Sequence, residues 1–160
     1  MVEVVMQKMI KYFGSDVKRI NHAIKVYGFA NCIARREKVS EKEVLIINIA
    51  SILHDIGIKE AEKKYNSSSG HYQEIEGPSV ALNLLSEIGL DRESLDRIYY
   101  LIGHHHSYHK INGTDFQILV EADILVNIDE DKMPRNSIDS IRKKIFKTKT
   151  GISIIESIYI

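Results

Sequence analysis

The sequence is poor in the features that mark several classes of protein. It has one cysteine, Cys32, so no intramolecular disulfide can form, and a reducing, cytoplasmic setting is expected. Lysine and arginine together number 22, as do aspartate and glutamate, so the formal net charge is zero. Such a chain lacks the broad basic surface that nucleic-acid binding requires, although it can still bind one small anion. Nucleic acid is therefore not an expected partner.

Segments that direct a protein into a membrane are not expected in this sequence either. The N-terminal stretch MVEVVMQKMIKYFG has no basic region followed by a long apolar stretch, so no signal peptide is expected. No apolar run approaches the roughly 20 residues that a membrane-spanning helix needs. A membrane is therefore not an expected partner, and the composition leaves the oligomeric state open.

Helical periodicity dominates the chain of 160 residues, which contains only two prolines, Pro78 and Pro134. Ser40 and Glu43 form an S-x-x-E capping box before the apolar run VLIINIASIL. Pro78 is expected in the first turn of a helix, and the preceding segment NSSSGHYQ, rich in small polar residues, is expected to be a loop. The pattern predicts one all-α domain, residues 1–160, folded as a compact bundle of about six to eight helices.

Four polar residues interrupt apolar helical segments, where packing favours leucine or valine. His54 and Asp55 end the run VLIINIASIL. His22 lies in RINHAIKVYGFA, and Asp123 lies in ILVEADILV. Each residue alone has an ordinary explanation, such as a helix cap or an ion pair. However, buried carboxylates must be neutralised, paired or bound to a metal, and two imidazoles with two carboxylates offer the ligands of a divalent metal site.

The order and spacing of these residues resemble the HD superfamily of metal-dependent phosphohydrolases. The family pattern H…HD…D reads here as His22, His54-Asp55 and Asp123, and the resemblance covers roughly residues 18–130. The segments HAIKVYGFANCIA, IASILHDIG, EIEGPSVALNLLSEIGL, LIGHHHSY and ILVEADILVNI are similar to the family's motif segments. The resemblance implies an all-α bundle and a divalent ion held by these four residues, with Mn²⁺, Fe²⁺, Co²⁺, Ni²⁺, Mg²⁺ and Zn²⁺ not distinguished. It implies hydrolysis of a small phosphoester or nucleotide by a metal-activated water, with Asp55 in a catalytic role.

The resemblance leaves open whether one or two ions bind, and one tightly held ion is favoured. Relatives with two ions usually carry a histidine where this chain has Gln73, and an amide is a poor ligand for a transition metal. His71 lies two residues upstream, and the GHHH segment offers His104, His105 and His106. Neighbouring residues on a helix point about 100° apart, so these three cannot all face one site. We expect His104, His105 or His71 to bind a weaker second ion or the substrate phosphate.

Five further residues are expected to contact the substrate or to support the metal ligands: Lys59, Gln73, Glu74, Asn127 and Tyr108. In some relatives a lysine directly after HDIG binds the substrate phosphate, whereas here Ile58 has that position and Lys59 follows. Asn127, four residues after Asp123, shares its helix face. Glu121 lies about 200° around the helix from Asp123 and is expected to face elsewhere. The 66–73 segment is expected to be a lid, a phosphate-contacting loop or a disordered connector.

Two other functions stay open on the sequence alone. Some HD-like folds use a di-iron pair for oxygenation, which needs a complete second ligand set. A non-catalytic domain that binds a metal or a nucleotide and acts through partners is the other alternative.

Overall fold

The computed structural model describes residues 1–160 and contains only helices and their connections, which confirms the all-α prediction. Eight helices have eleven or more residues, and α4 has eight. The helices are α1 (Val2–Phe13), α2 (Val17–Arg36), α3 (Glu41–Leu53), α4 (Ile58–Tyr65), α5 (Gly70–Leu85), α6 (Arg92–Ile102), α7 (Thr114–Glu130), α8 (Arg135–Ile145) and α9 (Lys149–Tyr159). A short 3-10 turn, Tyr108–Lys110, lies between α6 and α7.

Local capping chemistry explains where several of these helices begin. The Asp16 side chain accepts a hydrogen bond from the backbone N–H of Arg19 at the start of α2. The capping box expected at Ser40 and Glu43 is present in both directions at the start of α3. These side chains satisfy backbone N–H groups that have no partner within the helix.

Helix α5 corrects the prediction for Pro78. The helix begins at Gly70, so Pro78 lies inside it, and residues 71–73 are helical and not part of a loop. A proline in a helix interior costs roughly 3 kcal/mol, which packing must offset. That packing is close: a Cβ added at Gly57 would lie 2.5 Å from the carbonyl oxygen of Gln73 and 2.5 Å from the backbone nitrogen of Gly77. The bend between α3 and α4 therefore lies directly on the backbone of α5.

The core is built around α3 and α7, whose residues are mostly buried. Helix α2 packs against both, and α3 also packs against α6. His22 on α2, His54 after α3 and Asp123 on α7 thus lie where three central helices meet. None of the helices combines the length and the apolar character needed to span a membrane.

Glu121 on α7 faces the C-terminal helices, away from Asp123. Its carboxylate is fully buried and accepts hydrogen bonds from the backbone N–H groups of Lys147 and Thr148 and from the Thr148 hydroxyl. A Cβ at Gly151 would collide with the same carboxylate. Glu121 therefore anchors the start of α9 to α7.

Candidate metal centre

Three helices bring two imidazoles and one carboxylate together at the centre of the bundle. Nε2 of His22 lies 3.2 Å from Nε2 of His54 and 3.2 Å from Oδ1 of Asp123. His54 Nε2 lies 3.5 Å from the same Asp123 oxygen. All three residues are buried, and His54 is completely inaccessible. Ligand nitrogens bound to one transition-metal ion at about 2.0–2.1 Å lie roughly 3 Å apart, so this spacing fits a shared divalent ion.

Hydrogen bonds at the outer ring nitrogens fix how these imidazoles are oriented. Nδ1–H of His54 donates to the carbonyl oxygen of Ser51 at 2.8 Å. Nδ1–H of His22 donates to Oε2 of Glu130, also at 2.8 Å. A neutral imidazole that donates from Nδ1 presents a lone pair at Nε2, and such outer partners are typical of metal-binding histidines. The donor set is therefore preoriented for a cation.

Asp55 lies between this group and a second one. Its Oδ2 is 3.5 Å from Nε2 of both His22 and His54. Its Oδ1 is 3.3 Å from Nε2 of His105. Because the two oxygens of one carboxylate face different imidazoles, Asp55 has the geometry of a bridging ligand.

The second group consists of Asp55, His105 and His106, whose ligand atoms lie within 4.8 Å of one another. His105 is buried, and its Nδ1–H donates to the carbonyl oxygen of Ile102 at 2.8 Å, so its Nε2 also faces inward. Of the three adjacent histidines in the GHHH segment, the structure thus directs His105 and His106 toward the centre.

Gln73 and Glu74 on α5 support His106. Oε1 of Gln73 lies 3.4 Å from Nε2 of His106, and its amide donates to the carbonyl oxygen of Ser68 at 2.8 Å. Glu74 accepts hydrogen bonds from the backbone N–H of His106 at 3.0 Å and from the Ser107 hydroxyl at 3.1 Å. Gln73, where relatives with two ions usually carry a histidine, therefore contacts the second group through its side-chain amide.

Three other sequence candidates lie outside the cluster. His104 donates from Nδ1 to the carbonyl oxygen of Tyr100 and packs on the Tyr100 ring, 4.3 Å between centroids. Lys59 donates to the carbonyl oxygen of Tyr12 at 2.9 Å. His71 is exposed on the first turn of α5. His104 lies in the turn after α6, Lys59 on α4 and His71 on α5, and none of the three joins the cluster of possible ligands.

Asn127 and Tyr108 lie close to Asp123. The Asn127 amide donates to Oδ1 of Asp123 at 2.9 Å, as its position one turn along the helix predicts. Burial, together with the negative charge of Asp123, raises the pKa of Tyr108 to about 12. The Tyr108 hydroxyl therefore remains protonated at neutral pH and can donate a hydrogen bond.

The electrostatics of the centre favour a cation. Burial alone would lower the pKa of His54, but the carboxylates of Asp55 and Asp123 overcome it and raise that pKa to about 9. Against the effect of burial, the imidazoles hold the pKa of Asp55 and Asp123 well below the usual range. Although His106 as a whole residue is exposed, desolvation of its ring and a neighbouring imidazole lower its pKa to about 4. The carboxylates are thus ionised at neutral pH, and His106 carries a free lone pair.

Sequence reasoning missed two charged residues at the centre. Glu130, the partner of His22, lies seven residues after Asp123, which is about two helical turns, so helical periodicity could have identified it. Arg19 lies one turn before His22 on α2 and lines the same cleft. Each of the two residues shares a helix face with a motif residue, and that shared face could have identified them in the sequence.

A cleft of about 290 Å³ gives access to the centre and includes His22, Asp55 and Asn127 in its wall. A larger cleft of about 480 Å³ lies elsewhere, next to Arg97 and Tyr100, and has no histidine in its wall. The candidate site is therefore identified by its donor chemistry and not by the size of its cleft.

Comparisons with known proteins agree with this architecture. The HD domain family matches residues 19–147. A crystal structure of a predicted HD superfamily hydrolase from an uncultured Thermotogales bacterium has a TM-score of 0.71 and 24% sequence identity, covering 97% of this chain and 83% of that one. No curated protein was found to match the sequence. Since the family match extends over most of the chain, this protein belongs to the HD domain family.

Proposed function

We propose that this protein is a metal-dependent phosphohydrolase that acts on a small phosphoester or nucleotide. The observation that carries the proposal is the buried group of His22, His54 and Asp123, with both histidines directed inward at Nε2. Membership of the HD domain family supports it. So does the description of the structurally similar bacterial protein as a predicted hydrolase.

The proposed ligands of the tightly held ion are His22, His54, Asp55 and Asp123. Their imidazole and carboxylate donors suit several divalent metals. When bound there, such an ion would act as a Lewis acid and make an activated water available near neutral pH.

The surrounding side chains would orient the ligands and the substrate. Asn127 holds the carboxylate of Asp123 by donating to it. Asp55, the catalytic candidate, is about one-fifth exposed and so reaches the cleft as well as the ligands. Arg19 and Lys18 border that cleft and would bind phosphoryl oxygens. The phosphoryl group of the bound substrate would thereby be held by these two cations as well as by the ion.

We favour one tightly held ion and a weaker second ion at Asp55, His105 and His106. The second group is more open to solvent, because His106 is exposed. The side chain next to its three possible ligands is the amide of Gln73, which is a poor ligand for a transition metal. His105→Ala should weaken binding of a second ion, whereas His104→Ala, its matched control, should not. Equal effects of the two substitutions would reject this assignment.

Metal analysis of the purified protein, followed by a phosphatase screen, tests the proposed function. The screen uses p-nitrophenyl phosphate with Mn²⁺, Co²⁺, Ni²⁺ or Mg²⁺. Bound metal with metal-dependent phosphate release is the expected result. Two irons with oxygen consumption would indicate the oxygenase alternative, and absence of bound metal after reconstitution would leave a non-catalytic domain.

A further inference from the structure

The cleft beside the candidate metal centre is small, and eight of its nine lining residues are polar or charged. Its volume of about 290 Å³ is at the lower end of the roughly 300–1,000 Å³ typical of small-molecule pockets. Among its nine lining residues Ile58 is the single hydrophobic one, none is phenylalanine, tyrosine or tryptophan, and the one imidazole, His22, is buried in the candidate centre. Proteins commonly bind nucleobases by stacking them on aromatic side chains. This cleft offers no such surface.

The polar side chains of the cleft instead suit hydroxyl groups. Ser68 contributes a hydroxyl and Asn127 an amide, while Asp16 and Glu130 contribute carboxylates. Donors and acceptors are thus present together, as recognition of sugar or polyol hydroxyls requires.

The charges of the cleft suit a single phosphoryl group. Its lining contains two cationic side chains, Lys18 and Arg19, and three carboxylates. Arg19 is already held by ion pairs with Asp16 and Glu62. Positive charge beyond that of a bound ion is therefore limited, and a diphosphate or triphosphate would meet more repulsion than a monoester.

We propose that the substrate is a phosphate monoester of a hydroxylated, non-aromatic alcohol, such as a sugar or polyol phosphate, with its alcohol portion against Ser68 and Asn127. This inference rests on the proposed function and narrows it. Tyr108, near Asp123, is not part of the cleft lining. A nucleobase stacked on the ring of Tyr108 is the competing arrangement, and the test distinguishes it from the proposed one.

The test compares hexose 6-phosphates and glycerol 1-phosphate with nucleoside monophosphates, using the full chain reconstituted with Mn²⁺. We expect kcat/KM for the best sugar or polyol phosphate to exceed that for the best nucleotide by at least about tenfold. A nucleotide as good or better would overturn the inference. Loss of nucleotide turnover in Tyr108→Ala, with sugar phosphate turnover retained, would then show that the nucleobase stacks on Tyr108.

A pair of lysine variants tests the cleft itself. Lys18→Ala should raise KM for the preferred sugar phosphate by about three- to tenfold with kcat little changed. Lys63→Ala, on exposed α4 and outside the cleft, is the matched control and should leave KM unchanged. Equal KM values in both variants would exclude Lys18 from substrate binding.

Failure of the proposed function gives a different result. If neither p-nitrophenyl phosphate nor any of the sugar, polyol or nucleoside phosphates is hydrolysed with any of the metals, the hydrolase proposal fails. Thermal unfolding of the Mn²⁺-treated protein with hexose 6-phosphate or AMP then tests whether the cleft prefers a sugar phosphate to a nucleotide. A larger rise in Tm with the hexose phosphate supports that preference, and an equal or smaller rise contradicts it.

Discussion

Oε2 of Glu130 lies 2.8 Å from Nδ1 of His22, although 108 positions separate the two residues in the sequence. The other oxygen of Glu130 accepts a hydrogen bond from Lys25 at 2.8 Å. The carboxylate is thus held from two sides and fixes the orientation of His22. This arrangement makes Glu130 a positioning residue for the candidate centre.

Glu130→Ala should lower metal affinity about 10- to 100-fold, because His22 would lose the partner that sets its tautomer. Calorimetric titration of the metal-free protein with Mn²⁺ measures the change. Asp129→Ala, at the exposed neighbouring position, is the matched control and should bind metal normally. Unaltered affinity in Glu130→Ala would show that His22 does not need this partner.

Asp55→Ala should abolish metal binding and turnover while leaving helicity largely intact. The reason is that both of its oxygens face imidazoles of the centre. His109→Ala, at an exposed position of the 3-10 turn, should have little effect on either property. Metal analysis, phosphate release and circular dichroism provide the readouts. Full activity of Asp55→Ala would reject the site, and a large loss in His109→Ala would overturn the ranking of the histidines.

The metal-free protein should become less stable as the pH rises above neutrality. The pKa of His54 is raised from 6.5 to about 9 by Asp55 and Asp123, so its protonated form stabilises the folded state. This stabilisation is fully present below the unfolded pKa and is lost as the pH rises through the folded pKa. In EDTA, the free energy of unfolding should fall by at most about 3 kcal/mol between pH values of about 6.5 and 9.

Urea unfolding at a series of pH values measures this dependence. His109→Ala should retain the slope, whereas His54→Ala should reduce it. A stability that is independent of pH over this interval in the parent protein would contradict the assignment. Added metal should reverse the trend, since protons compete with the ion for the same nitrogens.

Gly57→Ala should destabilise the fold by about 1–3 kcal/mol or more, because the new methyl group would collide with backbone atoms of α5. Gly28→Ala is the matched control: nothing lies within 4 Å of its added Cβ on the exposed face of α2. That substitution should stabilise the protein by about 0.5–1 kcal/mol through helix propensity. Urea unfolding compares the two variants, and equal stability would show that α5 can move away from Gly57.

The sequence by itself determined the all-α class, the capping box of Ser40 and Glu43, and the choice of His22, His54, Asp55 and Asp123 as candidate ligands. Those features depend on local spacing and on polar residues within apolar helices, which a single sequence displays. The role of the four residues as ligands stays a prediction.

Only the tertiary structure decided the helical environment of Pro78, the inward orientation of His105 and His106, the distance of Lys59 from the centre and the contact between Glu130 and His22. Each of these depends on how one helix packs against another. The close approach at Gly57 and Gly77, for example, determines where the whole of α5 lies. Periodicity within a helix predicts which residues share a face, but packing between helices selects the partner that the face meets.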